Sequence, residues 1–491
     1  MITLLSSLPH NFGAAQFVIF LGIADLAAAV TAIVRERHTP SAALAWVMVI
    51  FMLPSVGIFL YFSLSQNAAR RKLFRLRGSE EREISGSLSR QISEIENGTF
   101  DFSADEGDTW RAMIHLNQLY GRAYYTQDNH IDILTDGEQM FDSLINDIRK
   151  ATKTINIMFF IIKNDEVGMK LIEELTVRAH EGVEVRLLMD SMGSRKINDK
   201  VLSRFLAAGG MRAYFFPKNF RCVNIRFNYR NHRKLAVIDG VTGYIGGFNI
   251  AREYLGRKKK FGYWRDTHIR LTGEAVQDIN ARFILDWRTA SKEDLAVTSA
   301  YYSPVISRGY TGMQIVSSGP DSLREEVKRA YMKMITSASK RICLQTPYFV
   351  PDQSILESLK MAAQCGVDVK VMIPSIPDHP FVYWATYAYC GELIKSGGHV
   401  YIYDNGFLHA KTIVVDGETG SIGSTNFDRR SFALNFECNA FIFDKIEAGH
   451  MERIFRKDME LCHELTLELY EQRGMVIKTK EVVARLLSDL L

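Results

Sequence analysis

Apolar and polar positions divide this chain into three regimes. Residues 12–34 and 41–64 are almost unbroken apolar runs. Each is long enough for the roughly 20 helical residues that cross a hydrocarbon core. The link Arg35-Glu36-Arg37-His38 between them predicts a helical hairpin. Residues 67–125 are polar and charged, with Ser85-Gly86-Ser87 and an acidic stretch at 101–108, and read as a linker with short helices. After that the apolar positions take up the periods of helix and strand. Thr135-x-x-Glu138 reads as a capping box, and Phe141, Leu144, Ile145 and Ile148 follow at helical spacing. Residues 155–162 read as a buried strand. A helix through Leu171, Ile172 and Leu175 runs to Gly182, and 183–189 alternate as a second strand, which makes a β-α-β unit.

The same order recurs. Residues 330–339 are helical in pattern, 341–345 strand-like, 355–363 helical, and Gly366 opens a strand at 367–373. Gly182-Val-Glu-Val-Arg186 parallels Gly366-Val-Asp-Val-Lys370, and Gly209-Gly210 parallels Gly397-Gly398. Two halves of one pattern predict two similar α/β domains about a pseudo-twofold axis. The first half has an insertion with Lys218, Arg221, Arg226 and Arg230 interleaved with Phe220, Phe227 and Tyr229. It is either a loop facing lipid or phosphate, or a solvated basic loop.

Charge orients the hairpin. Arg70, Arg71, Lys72, Arg75 and Arg77 follow the second run, whereas the link holds only Arg35 and Arg37. Basic flanks stay cytoplasmic, so the large C-terminal part is expected inside the cell. A cleaved signal peptide needs basic residues ahead of its apolar run, and residues 1–11 have none. Asp25 is costly in lipid unless it faces the partner helix or a headgroup layer, and Pro54 is a site for a kink. The net charge of +4 over 491 residues neither requires nor excludes nucleic acid. The six cysteines form no CxxC pair, which suggests reduced thiols without a zinc site or disulfide framework. His463, beside Cys462, reads as helix surface rather than a metal ligand.

Chemistry enters where each repeat ends. The first half has His232-Arg-Lys234-Leu-Ala-Val-Ile-Asp239, then Gly246-Gly247-Phe-Asn249; the second has His409-Ala-Lys411-Thr-Ile-Val-Val-Asp416, then Gly423-Ser424-Thr-Asn426. Residues two apart on a strand share a face, so each His and Lys are expected to meet one substrate together. The Asp falls on the opposite face and reads as structural support. Gly247 and Ser424, with their neighbours, are expected to let a phosphate approach the backbone, and Asn249 and Asn426 to donate to its oxygens. One neutral histidine can attack phosphorus and form a covalent phospho-histidine. The other, protonated, can donate to the leaving alkoxide, while Lys234 and Lys411 stabilise the charged transition state. No metal or other cofactor is called for by ligand spacing. Each imidazole needs a carboxylate to fix its tautomer; Glu437 is expected to serve His409, and Asp266 to serve His232.

These motifs resemble the phospholipase D superfamily, in which two His-x-Lys-x4-Asp motifs build one active site. The hairpin with Ala43-Leu-Ala-Trp46 and Leu53-Pro-Ser-Val-Gly57 is similar to that of bacterial cardiolipin synthases. So are Trp264-Arg-Asp-Thr267, Ser317-Ser-Gly-Pro-Asp321, Thr346-Pro-Tyr-Phe-Val-Pro-Asp352, Asn426-Phe-Asp-Arg-Arg-Ser431 and Asn435-Phe-Glu437. The resemblance implies two phospholipase D-like α-β-α sandwich domains at 126–305 and 306–475, after a transmembrane hairpin at 1–66 and a linker at 67–125. It implies that two phosphatidylglycerol molecules are joined into cardiolipin and glycerol, that His232 is the nucleophile and that His409 is the acid. The expected partners are phosphatidylglycerol and other anionic phospholipids of the cell membrane. A hydrolytic phospholipase D fits the motifs equally, whereas a nuclease has little use for a membrane hairpin. The tail at 476–491 is expected either to lie on the membrane as an amphipathic helix or to pack on the body. It has Asp489 where the family often has proline.

Overall fold

The computed structural model describes residues 12–35, 40–64, 73–74, 76–216, 229–291, 293–298, 309–322, 324–378 and 380–488. Arg70, Arg71, Lys72 and Arg75, the insertion residues Lys218, Phe220, Arg221, Arg226 and Phe227, and Asp489 lie outside the described residues.

In the hairpin the first apolar run is one helix, Phe12–Arg35, and the second is broken into Pro40–Met52 and Val56–Leu64. The break falls at Pro54, and Ser55 takes a left-handed φ of 67°. The Ser55 N–H donates to Asp25 Oδ1 at 3.1 Å, so the buried Asp25 faces the partner segment and satisfies backbone exposed by the kink. Ala28, Ala32 and Ala43 are buried in the hairpin, and small residues of this kind let helices approach closely. Phe17, Phe20, Ile23, Leu44 and Phe51 are exposed on its exterior. Among the described residues no helix is long and apolar enough to cross a membrane.

The body is built on two mixed sheets. The first contains β1 (Asn129–Leu134), β2 (Thr154–Phe159), β3 (Glu184–Asp190), β4 (Met211–Phe215), β6 (Leu235–Ile238), β7 (Thr242–Gly246) and β9 (His268–Gly273), with the short β5 (Arg230–Asn231) and β8 (Trp264–Arg265) beside it. Its order is β1-β9-β7-β6-β2-β3-β4, with β2, β3 and β4 parallel. The second contains β10 (Gly312–Ser318), β11 (Arg341–Gln345), β12 (Asp368–Pro374), β13 (His399–Tyr403), β15 (Thr412–Val415), β16 (Thr419–Gly423), β17 (Asn435–Phe443) and β18 (Cys462–Glu464), with β14 (Phe407–Leu408) apart. Its order, β10-β17-β16-β15-β11-β12-β13-β18, repeats the first strand for strand and adds β18 at the edge. The predicted two-domain α/β repeat is therefore present. Its register recurs too: Thr154 pairs with Glu184 in the first sheet, and Arg341 with Asp368 in the second.

Local chemistry starts the helices. The Gly137–Lys150 helix is capped by Asp136, which accepts from the N–H groups of Glu138 and Gln139, so the expected Thr135 capping box is displaced by one residue. A carboxylate gains from the helix dipole as well as from the hydrogen bond, which favours it over a hydroxyl. Asp165, Asp352 and Asp444 cap the Glu166–His180, Gln353–Gln364 and Lys445–Met459 helices in the same way. The stretch read as a linker contains the helices Gly78–Glu96, Asp105–Thr109 and Arg111–Gly121; Ile95, Trp110, Met113 and Ile114 pack with Val316, Val327 and Tyr331 in the core of the second lobe. Its polar composition hid a few deeply placed apolar residues. His463 lies on the edge strand β18 rather than on a helix, exposed and 2.6 Å from Asp404. The described cysteines are free thiols.

Candidate active site

The two His-x-Lys motifs lie where the lobes interlock. β5 pairs in parallel with the start of β17, and β14 pairs in parallel with β8, so each motif is approached by a strand of the other half. The His232 N–H donates to Phe436 O at 2.9 Å, and the His409 N–H to Arg265 O at 2.7 Å. His232–Lys234 and His409–Lys411 form lead-ins to β6 and β15 rather than positions within those strands. Each lysine turns back: Lys234 Nζ donates to His232 O, and Lys411 Nζ to His409 O.

The histidine–carboxylate pairing is the reverse of the expected one. His232 Nδ1 lies 2.9 and 3.1 Å from the two oxygens of Glu437, and His409 Nδ1 lies 2.5 Å from Asp266 Oδ2. Each histidine is thus oriented by a carboxylate of the opposite lobe. The reason is topological. The carboxylates follow Trp264-Arg265 and Asn435-Phe436, the segments that pair across the interface, so each is delivered to the other lobe's motif. With Nδ1 held, Nε2 is the ring nitrogen left for chemistry.

Burial sets the electrostatics. It pushes His232 below its ordinary range, against the opposing pull of Glu437. His409 is driven down to about 4, first by burial and then by Lys411, with Asp266 pulling the other way. Burial also lowers Lys234 to about 7 and Lys411 to about 8. For Glu437, burial raises the carboxyl, but His232, Lys234 and the Ser424 hydroxyl outweigh it and the group stays below its usual range. Asp266 is likewise held low against burial by Lys411 and His409. Two buried carboxylates therefore remain anionic opposite two imidazoles and two lysines whose protons are weakly held.

The motif aspartates stand at turns in the left-handed region, at φ 53° for Asp239 and 56° for Asp416. Asp239 accepts from the N–H groups of Thr152, Lys153 and Thr154 at 2.7–2.9 Å and from the Thr152 hydroxyl. Asp416 does the same with Ser339, Lys340 and Arg341, each at 2.8 Å, and with the Ser339 hydroxyl. Each pins the hairpin behind its motif to the start of the neighbouring strand.

The small residues after the motifs also have assignable roles. A Cβ on Gly247 would lie 2.0 Å from Asp266 Oδ1, and one on Gly246 would lie 2.5 Å from His268 Cα. These glycines thus make room for the carboxylate and its strand, where phosphate access had been expected. At the equivalent place in the second lobe, Ser424 Oγ donates to Glu437 at 2.5 Å. Asn249 is engaged within the protein, accepting from Ile161 N–H at 3.0 Å and donating to Tyr254 Oη at 3.1 Å. Asn426 is buried, and its Oδ1 has no partner among the described residues.

Two buried ion pairs beside the site were not anticipated. Arg233, inside the first motif, pairs with Asp286 at 2.9 Å and donates to Glu437 O and Ser318 O. Arg265, next to Asp266, pairs with Asp458 at 2.9 Å and donates to Thr267 Oγ1. Asp286 and Asp458 sit at corresponding places on the Ala275–Ser291 and Lys445–Met459 helices. Breaking a pair buried this deeply costs about 3–5 kcal/mol, because the remaining charge is stranded. The one sequence signal was the charged residue adjoining each functional one. Among the described residues no group of three His, Cys, Asp or Glu side chains is placed to hold a metal ion.

The chain matches the family described as cardiolipin synthase, PLD-like domain, at residues 144–287 and 331–459, and the phospholipase D-nuclease N-terminal family at 23–66. It is 46% identical to the cardiolipin synthase of Oceanobacillus iheyensis over 96% of this chain and 98% of that one. Identity to the major cardiolipin synthase of Bacillus subtilis is also 46%, again covering 96% and 98%. The fold is similar to that of a phosphatidylserine synthase of Haemophilus influenzae, with a TM-score of 0.57 at 18% identity over 77% of this chain and 97% of that one. With near-half identity sustained over almost the whole length of both relatives, the chain belongs to the cardiolipin synthases, phosphatidyltransferases of the phospholipase D superfamily.

Proposed function

We propose that this enzyme transfers a phosphatidyl group from one phosphatidylglycerol to the glycerol headgroup of a second, through a phosphatidyl-histidine on His232. The observation that supports it is the crossed arrangement: two histidines, each with Nδ1 tied to a buried carboxylate of the opposite lobe and a buried lysine alongside. In the first step His232 Nε2 attacks phosphorus, the bond from phosphorus to the glycerol oxygen breaks, and the His409 Nε2 proton goes to that oxygen. Glycerol leaves. In the second step a hydroxyl of the acceptor lipid gives its proton to His409 and attacks phosphorus. The P–N bond breaks, and cardiolipin is released with both imidazoles restored. Lys234 and Lys411 offset charge on the phosphoryl oxygens. Asp239 and Asp416 support the motifs from behind.

The hairpin, its second arm kinked at Pro54, is read as a membrane anchor with the body on the cytoplasmic side. The apolar runs at 12–34 and 41–64, the apolar exterior and the basic residues after the second run support this reading. Product analysis with purified phosphatidylglycerol tests the reaction. Cardiolipin and glycerol are expected from the wild type and neither from His232→Ala or His409→Ala. Phosphatidic acid as the sole product would make the enzyme a hydrolase, and a phospho-enzyme mapped to His409 would reverse the two roles.

A further inference from the structure

The Met475–Ser488 helix has one face docked on the body and an apolar face left outward. On the docked side Glu481, Ala484 and Ser488 are buried. Ser488 Oγ lies 3.2 Å from Tyr389 Oη on the Pro380–Lys395 helix, Glu481 pairs with Arg473 at 3.1 Å, and Arg485 pairs with Glu392. On the other side Met475, Val476, Val482 and Val483 are 78, 69, 67 and 48% exposed. Residues 475 and 482, like 476 and 483, are seven apart and so fall on one stripe of the helix. Lys478 borders the stripe on one side and Lys480 on the other, at roughly 100° per residue. The one acidic residue of the helix, Glu481, lies on the docked side. Lys478 Nζ reaches Glu471 O at 3.0 Å, and Lys480 Nζ stands 5.2 Å from the Trp384 ring centre, so the Lys480 stem runs along apolar surface.

A docked helix facing water carries polar residues on its outer face. The outward face, apolar but for Thr479, whose hydroxyl turns back onto Met475 O, is rimmed by lysines and holds no carboxylate, which makes it complementary to an anionic lipid surface. We propose that this helix is a second membrane contact: its valine and methionine stripe is buried at the boundary of headgroup and acyl chain, and Lys478 and Lys480 lie against anionic headgroups. It would hold the body on the surface that supplies its substrate. The inference rests on the reading that the substrate is an anionic phospholipid, and it goes beyond the hairpin anchor.

The test uses the whole chain in vesicles of phosphatidylglycerol and phosphatidylcholine, with Cys222, Cys365 and Cys462 changed to serine and a nitroxide on Val482→Cys. Collisions with dissolved oxygen should exceed those with a water-soluble nickel chelate; values matching a nitroxide on the exposed Lys196→Cys would overturn the proposal. Dipolar coupling between nitroxides on two copies would assign the stripe to self-association and overturn it equally. In parallel, Val476→Asp/Val482→Asp should raise the apparent KM for vesicle phosphatidylglycerol by roughly tenfold. Turnover of monomeric short-chain phosphatidylglycerol should stay unchanged. An unchanged vesicle KM would also count against the proposal. Failure of the parent enzyme to make cardiolipin from either substrate would instead defeat the reaction assignment.

Discussion

Gly247→Ala tests the architecture of the site with one methyl group. An added Cβ would stand 2.0 Å from Asp266 Oδ1 and 2.7 Å from its Cγ, where ordinary contact begins at 3.4 Å, so the carboxylate must retreat by about 1.4 Å. Asp266 is fully buried, and the Thr267 N–H also holds it, at 2.8 Å. A retreat of that size opens the 2.5 Å bond to His409 Nδ1 beyond hydrogen-bond reach. Misplacing a catalytic group by 1 Å costs about 10²-fold, and losing the carboxylate that orients a catalytic histidine costs up to about 10⁴-fold. The variant should therefore lose roughly 10²- to 10⁴-fold in kcat with little change in KM. Asp266 raises the His409 pKa, so its withdrawal should also move the histidine limb of the pH profile downward. The assay is steady-state cardiolipin formation in mixed micelles, with circular dichroism to confirm folding. If Gly247 instead serves phosphate access, KM should rise while kcat holds. A kcat within threefold of wild type would refute the steric reasoning.

The remaining predictions concern roles and pH. If His409 is the acid, Asp266→Asn should slow transfer by about 10²-fold or more, and a phosphatidyl ester with a good leaving group should rescue it; Glu437→Gln, which weakens the hold on His232, should not be rescued. Equal rescue of both would defeat the crossed assignment of roles. Lys234 and Lys411 titrate at about 7 and 8, so their positive charges are lost as pH rises through that window and kcat/KM should fall above about pH 8; a profile flat to pH 10 would show that their charge is not used. Asp416→Ala leaves three backbone N–H groups without their acceptor and should cost about 1–3 kcal/mol of stability at pH 7. The native carboxyl is held below its ordinary range, so the stabilisation is present above the unfolded value near 4 and lost as pH falls through the lower native one. Denaturation curves of wild type and variant should therefore converge in acid.

The repeat was legible because hydrophobic period and motif spacing are local properties. β11 spans 341–345 as expected, and β3 and β12 lie within a residue of their expected bounds. What escaped depends on residues far apart in sequence. Nothing local to Asp266 or Glu437 says which lobe's histidine it meets, since the choice is made by β5 crossing to β17 and β14 crossing to β8. A glycine in sequence does not reveal what fills the space beside it; beside Gly247 it is Asp266. Arg233 and Arg265 are met by Asp286 and Asp458 from helices 53 and 193 residues away, partners that no local pattern announces.

The crossed carboxylates also explain how two copies of one motif can take opposite roles. Glu437 accepts from Ser424 Oγ and Asn435 Nδ2 as well as from His232, so its charge is shared among several donors. Asp266 accepts from the Thr267 N–H and from His409 Nδ1, at 2.5 Å, and pulls a proton toward that imidazole. Within the protein, Lys411 opposes this: it stands 3.8 Å from Asp266 and helps drive His409 to about 4. A phosphodiester bound against Lys411 carries the charge that cancels the lysine's effect, and the pull of Asp266 then prevails. In the proposed reaction the substrate's own negative charge would then help protonate His409 for expulsion of the leaving group, while His232 keeps its lone pair for phosphorus. On the proposed assignment of roles, the pairs Gly247 with Asp266 and Ser424 with Glu437 are where the two motifs differ.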